Sequence, residues 1–333
     1  MNRLADRYEM RRVIGRGGLG EVWEARDAVS GREVAVKTAE RAKADRLRRE
    51  AALISRVDHP GVVDVLDAGE DGATVFYVMD LLRGRDLSEV LQEGPLPARE
   101  ALRVTAVLAD ILDATHRAGI VHGDVKPANV VLSGEDVMLV DFGAAATPDD
   151  GPRRETVGTV PYMAPEQVTG GPLTPATDLY SLGCLLVSTL AGRPPFVSAS
   201  PAQVLQWQAR AEPPRLHELL RGAPARLDEL VATLLHKEPA ARGSAADVRD
   251  SLVELGAHPA LDRVAPRHSA PPVRVDPQAT LPALSLLRTT TLHDVDVRPE
   301  VRTGGCTPVR HGARRTVRPD PGRRQMGEHA SRP

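Results

Sequence analysis

The hydrophobic periodicity of the chain changes once, near residue 82, and that change limits the folds open to it. Before it, apolar residues alternate with polar ones in short runs. These are "YEMRRVIG" from Tyr8, "GEVWEAR" from Gly20 and, after a Ser30-Gly31 turn, "REVAVKTA" from Arg32. Alternation at period two points every second side chain to one face, the pattern of a strand meander. Residues 45–57 interrupt it with Leu47, Ala51 and Ile54 on one helical stripe, and two more strand candidates follow at 61–70 and 73–82. Beyond "GPLPARE" the period lengthens. A helix is expected over 97–118, with Pro97 near its start and Gly119 just past its end, then others at 175–191, 201–210, 225–236 and 244–255. The expected class is α+β: a small β-rich lobe with one helix over 1–82 and a larger, mostly helical lobe over 83–255.

Composition matters at the C-terminal end. Residues 256–333 are rich in Pro and Arg, lack sustained periodicity, and hold 13 basic against 7 acidic residues. That is about +6, leaving −8 for the rest of a chain whose net charge is −2. Such a segment is expected to be a largely disordered tail. Its "RTTTL" and "TPVR" stretches suit autophosphorylation or the docking of a regulatory partner, and equally an inert extension. The small net charge and 41% apolar content fit a soluble globular protein and give no reason to expect nucleic acid or a membrane surface as partner. "MNRLADRYEMRR" is charged from its start, unlike a secretory signal, and "GCLLVSTLAG" is far too short to span a bilayer. Cys184 and Cys306 have no metal or redox spacing and read as free thiols in a reducing cytosol, so a cytoplasmic location is expected.

Chemistry concentrates in a few stretches. "GRGGLGEV" (Gly15, Arg16, Gly17, Gly18, Leu19, Gly20 to Val22) lets backbone approach a ligand and turn N–H groups toward phosphate oxygens, though alone it equally describes a hairpin turn. Lys37 closes the apolar run "VAVK" 17 residues past Gly20, where a partner strand would bring it beneath the glycines. Alone, it is a strand-end charge facing water. Glu50, on the amphipathic helix, is the carboxylate that could hold it. In "HGDVKPANV" Asp124 and Asn129 are five apart with Lys126 between them, and Asp141 follows in "LVDFGAA" after a strand–turn–strand. A hairpin there returns Asp141 to Asn129, so a carboxylate and an amide oxygen converge as hard divalent cations prefer. Asp124 is left to orient a hydroxyl and Lys126 to meet negative charge. "GTVPYMAPE" and "TDLYSLG" come next.

This ordered set resembles the eukaryotic-type serine/threonine protein kinases, including their bacterial members, over roughly residues 8–255. The resemblance implies a bilobal kinase fold, ATP and Mg²⁺ (or Mn²⁺) as cofactors, and protein substrates bearing Ser or Thr. It places Gly15, Gly17 and Gly20 over the nucleotide phosphates, with Lys37 on the α and β phosphates and paired with Glu50. Asp141 and Asn129 would hold the metal, Asp124 would orient the acceptor hydroxyl, and Lys126 would steady the γ-phosphate. Adenine would lie between Val22 and Ala35 above and Val131 below. The Asp80–Leu82 linker would offer it backbone hydrogen bonds, with Met79 behind and Asp86 toward the ribose. It also implies a Glu166–Arg242 pair, Asp178 bracing the loop around His122, and an apolar stack of Ile54, Val65, His122 and Phe142. Thr159 would bond Asp124 and Lys126, as in serine/threonine-directed relatives.

Three departures stand out. Lys37 and Glu50 are only 13 apart, a shortened connection; Ala128 replaces an acidic residue that many basophilic relatives use; Gly123 replaces the usual Arg. Without that Arg, a phosphate on Thr147 or Thr156 would need Arg153 or Arg154, and basal activity is expected to depend little on such phosphorylation. "HGD" is also shared with small-molecule phosphotransferases, but Lys126, "APE" and "TDLYSLG" are not. A pseudokinase scaffold would be expected to lack one of Lys37, Asp124 and Asp141, and all three are present.

Overall fold

The computed structural model describes residues 3–150, 158–267 and 274–275. The N-terminal strands form one antiparallel sheet in the order β1-β2-β3-β4-β6-β5. Its members are β1 (Arg3–Leu4), β2 (Tyr8–Arg16), β3 (Glu21–Asp27) and β4 (Glu33–Glu40). After the helix α1 (Ala44–Ile54) come β5 (Val65–Asp71) and β6 (Thr74–Asp80). The β3–β4 turn closes around Asp27, whose carboxylate accepts from Val29 N–H at 3.0 Å and Ser30 Oγ at 2.7 Å, with Gly31 at φ +73°. One face of the sheet buries Tyr8, Ala25, Val34, Val36, Phe76 and Val78 together. The other receives α1, which presents the expected Leu47, Ala51 and Ile54 and also buries Glu50. A buried carboxylate on an apolar stripe needs a partner.

The second lobe begins with β7 (Arg85–Asp86), α2 (Leu87–Gln92) and α3 (Ala98–Arg117). The hairpin β8 (Val130–Ser133) and β9 (Asp136–Leu139) pairs with β7. Then follow α4 (Pro165–Thr169), α5 (Pro175–Ala191), α6 (Pro201–Arg210), β10 (Ala211–Glu212), α7 (Leu216–Leu219), β11 (Leu220–Arg221), α8 (Ala225–Leu234) and α9 (Ala245–Gly256). The hydrophobic run 179–190 makes α5 buried on all sides, the mark of a central helix. Pro175 opens α5 in its first turn and Gly192, at φ +71°, ends it. The helices expected at 175–191 and 201–210 stand at those residues; α2, α4 and α7 are too short for a periodicity argument to find.

The packed chain runs past the expected boundary at 255. A 3₁₀ segment at Pro259–Arg263 buries Leu261, and Asp262 pairs with Arg99 at 2.8 Å. Strand β12 (Ala265–Pro266) then pairs with β11, and Arg267 N–H donates to Leu219 O at 2.7 Å. A single apolar residue among Pro, Asp and Arg carries no period, so only the fold reveals that Leu261 is an anchor. The backbone of β13 (Arg274–Val275) pairs with β10. The remaining tail, with Arg153, Arg154 and Thr156, lies outside the described residues.

Candidate active site

The glycine loop and Lys37 come from adjoining strands. Gly17 and Gly20 exchange backbone hydrogen bonds of 2.9 and 3.2 Å, closing the β2–β3 hairpin. A Cβ on Gly20 would sit 1.8 Å from Thr38 O, so no side chain fits there. Val22 lies directly opposite Lys37 in the β3–β4 register, and Ala35 opposite Met79 in β4–β6. The sequence-based placement of lysine under the loop follows from this register. Arg16 turns outward to Glu21 at 3.0 Å, while the carbonyl of Gly18 accepts from Lys43 Nζ at 2.8 Å. Leu19 packs partly buried against the core.

Lys37, 7% exposed, sits between two carboxylates: Glu50 Oε1 at 2.6 Å and Asp141 Oδ1 at 2.8 Å. Tyr77 donates its hydroxyl to the same Glu50 oxygen at 3.1 Å. Burial alone would lower the lysine pKa, but the charges of Asp141 and Glu50 outweigh it and raise the value. Desolvation likewise works to raise Asp141, yet Lys37 holds it below the ordinary carboxylate range.

The loop from His122 to Asn129 rests on the start of α5. Asp178, fully buried, accepts from His122 N–H at 2.9 Å, Gly123 N–H at 2.7 Å and the His116 ring at 2.8 Å. Gln167 donates to Gly123 O at 2.8 Å. The His122 ring meets Phe142 edge-on at 4.8 Å, and Ile54, Phe142 and Val65 belong to the same apolar cluster. Thus fixed, the loop presents Asp124. Its Oδ2 accepts from Lys126 Nζ at 2.7 Å, and its Oδ1 from Thr159 N–H at 3.0 Å and Thr159 Oγ1 at 3.1 Å. Lys126 also donates to Thr159 Oγ1 at 2.7 Å.

The β8–β9 hairpin brings the chain back, and Val140 N–H donates to Asn129 O at 2.9 Å. Asp141 follows in a left-handed conformation, φ +67°, with 47% of its side chain exposed. Asn129 donates its amide nitrogen to Asp124 O at 2.9 Å, which leaves the amide oxygen as the free end of the group for a cation. Among the described residues no three His, Cys, Asp or Glu side chains cluster as a metal cage. A site of one exposed carboxylate and one amide oxygen instead fits a hard cation that takes its other oxygens from phosphate and water.

The expected nucleotide-side residues are placed as follows. Asp86 and Val131 are register partners in β7–β8. Asp86 caps α2 by accepting from Glu89 N–H at 2.9 Å, so one of its oxygens is already engaged. Asp80 pairs with Arg32 at 2.8 Å and lies opposite Val34 in β4–β6; Leu82 packs against the core. Glu166 and Arg242 form the expected bidentate pair, 2.7 and 3.0 Å, with Arg242 1% exposed. Sequence reasoning missed Gln167, which bonds the loop from 44 residues away, and His116, which bonds the loop's brace Asp178 across 62 residues. It also missed an ion pair between Arg49 and Asp150, 101 residues apart. No local pattern signals such partners.

Comparison with known proteins agrees with this geometry. The protein kinase domain model matches residues 8–252. A probable serine/threonine-protein kinase of Corynebacterium efficiens is 37% identical over 290 residues, covering 81% of this chain and 44% of that protein. The serine/threonine-protein kinase PknH of Mycobacterium tuberculosis is 37% identical over 288 residues, 83% of this chain and 45% of PknH. A probable serine/threonine-protein kinase of Streptomyces coelicolor is 40% identical over 266 residues, 74% of this chain and 39% of the relative. The chain thus spans less than half the length of these relatives.

Proposed function

The chain belongs to the protein kinase family, a family of ATP- and divalent-metal-dependent enzymes acting on proteins, and from that premise we propose that it transfers the γ-phosphate of Mg-ATP to Ser and Thr hydroxyls. The observation that supports this reading is the intact set of Lys37, Asp124 and Asp141, each held by named partners. Lys37 would bind the α and β phosphates, pre-aligned by Glu50. Asp124 would orient the acceptor hydroxyl and take its proton, and Lys126 would follow charge on the transferred group. Asp141 and Asn129 would hold the metal, which when bound neutralises phosphate charge. Gly15, Gly17 and Gly20 would roof the phosphates, and Val22, Ala35, Met79 and Val131 would enclose the adenine.

Transfer of this kind is mostly alignment and electrostatic stabilisation, so fixed partners matter more than reactive side chains. Thr159, bonded to both Asp124 and Lys126, supports Ser and Thr as acceptors. Among the described residues no helix is long and apolar enough to cross a membrane; cytoplasmic action and a tail-bound regulatory partner remain part of the proposal.

The test is transfer of labelled γ-phosphate to protein and to the chain itself. Asp124→Asn is expected to lower the rate by about a hundredfold or more while nucleotide still binds; Lys37→Met should lower both. Unchanged transfer in either variant refutes the assignment. Binding without transfer in the parent chain would indicate a scaffold, and transfer confined to small amines or alcohols would indicate a small-molecule phosphotransferase.

A further inference from the structure

Three consecutive residues of α1 reach in three directions. Successive helical side chains are about 100° apart, so neighbours on one turn address different surroundings. Arg48 pairs with Glu70 of β5, inside the small lobe. Glu50 points inward to Lys37. Arg49, between them, pairs with Asp150, which belongs to the segment that follows Asp141 in the large lobe.

Asp150 is built into its place. The 3₁₀ turn Pro148–Asp150 closes with Asp150 N–H donating to Thr147 O at 3.1 Å. Its carboxylate accepts from Thr147 N–H at 2.6 Å and Thr147 Oγ1 at 3.2 Å, and its side chain is 17% exposed. Arg49 keeps the carboxyl well below its usual range, at about 2, so it is ionised throughout the neutral range. One residue upstream of Thr147, Ala146 bridges Val121 through hydrogen bonds of 2.8 Å in both directions. Val121 is two residues before Gly123. A short covalent and hydrogen-bonded path therefore links the Asp124 loop, through Ala146 and Asp150, to the helix carrying Glu50.

We propose that the Arg49–Asp150 pair is a positioning device which fixes α1 against the segment after Asp141, so that Glu50 and Lys37 stay aligned without phosphorylation of that segment. Gly123 has no side chain with which to meet an anion, and here the cation comes from the helix and the anion is a carboxylate encoded in the chain. The inference rests on the kinase reading for its activity consequence, whereas its conformational content stands apart from that reading.

The test is a double-mutant cycle in the full chain, Arg49→Gln and Asp150→Asn, alone and together. Asn keeps an acceptor for Thr147, so the change removes charge and little else. Each single variant is expected to slow phosphate transfer about fivefold, roughly 1 kcal/mol for a partly exposed pair, and to speed amide exchange across Ala44–Ile54. The double variant should be no slower than the worse single one, and Arg49→Lys should recover most of the rate. Arg48→Gln should stay within about twofold of the parent. Singles that match the parent, effects that multiply in the double variant, or an equal loss in Arg48→Gln each overturn the inference. If the parent chain transfers no phosphate, the kinase reading fails, while amide exchange still decides whether the pair holds α1.

Discussion

Replacing Gly123 with Ala adds one methyl group at a position where two effects oppose each other. At an ordinary site this change stabilises by about 0.4–1 kcal/mol, because alanine restricts the unfolded chain. Gly123, however, has φ +76°, and its amide and carbonyl are tied to Asp178 at 2.7 Å and Gln167 at 2.8 Å. The backbone cannot rotate away without losing buried hydrogen bonds, so Ala would be held in the left-handed region at a cost of about 1–2 kcal/mol. Its Cβ would also lie 3.0 Å from Ala144 O and 3.2 Å from Leu173 Cδ1, close enough that both must give. The net expectation is a loss of about 1–2 kcal/mol, seen in urea denaturation as a lower midpoint at unchanged slope. For a domain of this size the melting temperature should fall by about 3–6 °C. Gly134→Ala is the comparison, since Gly134 has φ +63° and open space at its Cβ; it should cost clearly less. Gly123→Ala unfolding at the same denaturant concentration as the parent, or higher, would refute the reasoning. The same backbone cost would attend an Arg at this place.

Two further outcomes concern the large lobe. Glu166→Gln leaves the buried guanidinium of Arg242 without its countercharge, although its bonds to the carbonyls of Ala176, His236 and Lys237 remain, and should destabilise by about 3 kcal/mol in the same denaturation assay. Lys237 sits among the Tyr180 and Phe196 rings and the Gln208 carbonyl, and burial pushes its pKa down to about 7, with Arg242 adding to the fall. The unfolded chain then binds more protons than the folded one between about pH 7 and its ordinary value near 10, so stability should rise with pH across that window. Lys237→Met should remove that part of the rise; identical stability differences at pH 7 and 9 in both proteins would refute it.

How much could be read from the chain alone follows the range of the signal. Leu47, Ala51 and Ile54 declare their helix within eight residues, and a short hairpin with regular register returns Val140, next to Asp141, to Asn129, which itself bonds Asp124. Glu50 was legible from the residues as a carboxylate that could hold Lys37, but the pairing needed the family resemblance, since nothing in "VAVK" itself says that the ammonium is buried. Leu261 and the β11–β12 pairing were not legible, because one leucine and a two-residue strand are too short to show a period. Neither was the Arg49–Asp150 pair. Arginine is common on exposed helix faces, and its partner is chosen by packing between lobes rather than by neighbours in sequence.

The two halves of the site are held by different kinds of force, and this bears on how it could be controlled. The acceptor half, Asp124 with Lys126 and Thr159, hangs from Gln167 of α4 and Asp178 of α5 through buried hydrogen bonds. Removing one partner there strands a buried polar group, which costs more than the bond itself contributes. The nucleotide half depends on α1 and β4, which meet the large lobe through the apolar cluster of Ile54 and Phe142 and through two ion pairs, Lys37 to Asp141 and Arg49 to Asp150. Near Lys37 and Lys126 three carboxylates, Glu50, Asp124 and Asp141, face two ammonium groups. The excess negative charge favours a divalent cation before a nucleotide anion is added. Segments held by partly exposed ion pairs open at lower free energy than those held by buried ones. Any input that competes for Arg49, or covers Asp150, would therefore act on Glu50 and Lys37 and leave the acceptor loop as it stands.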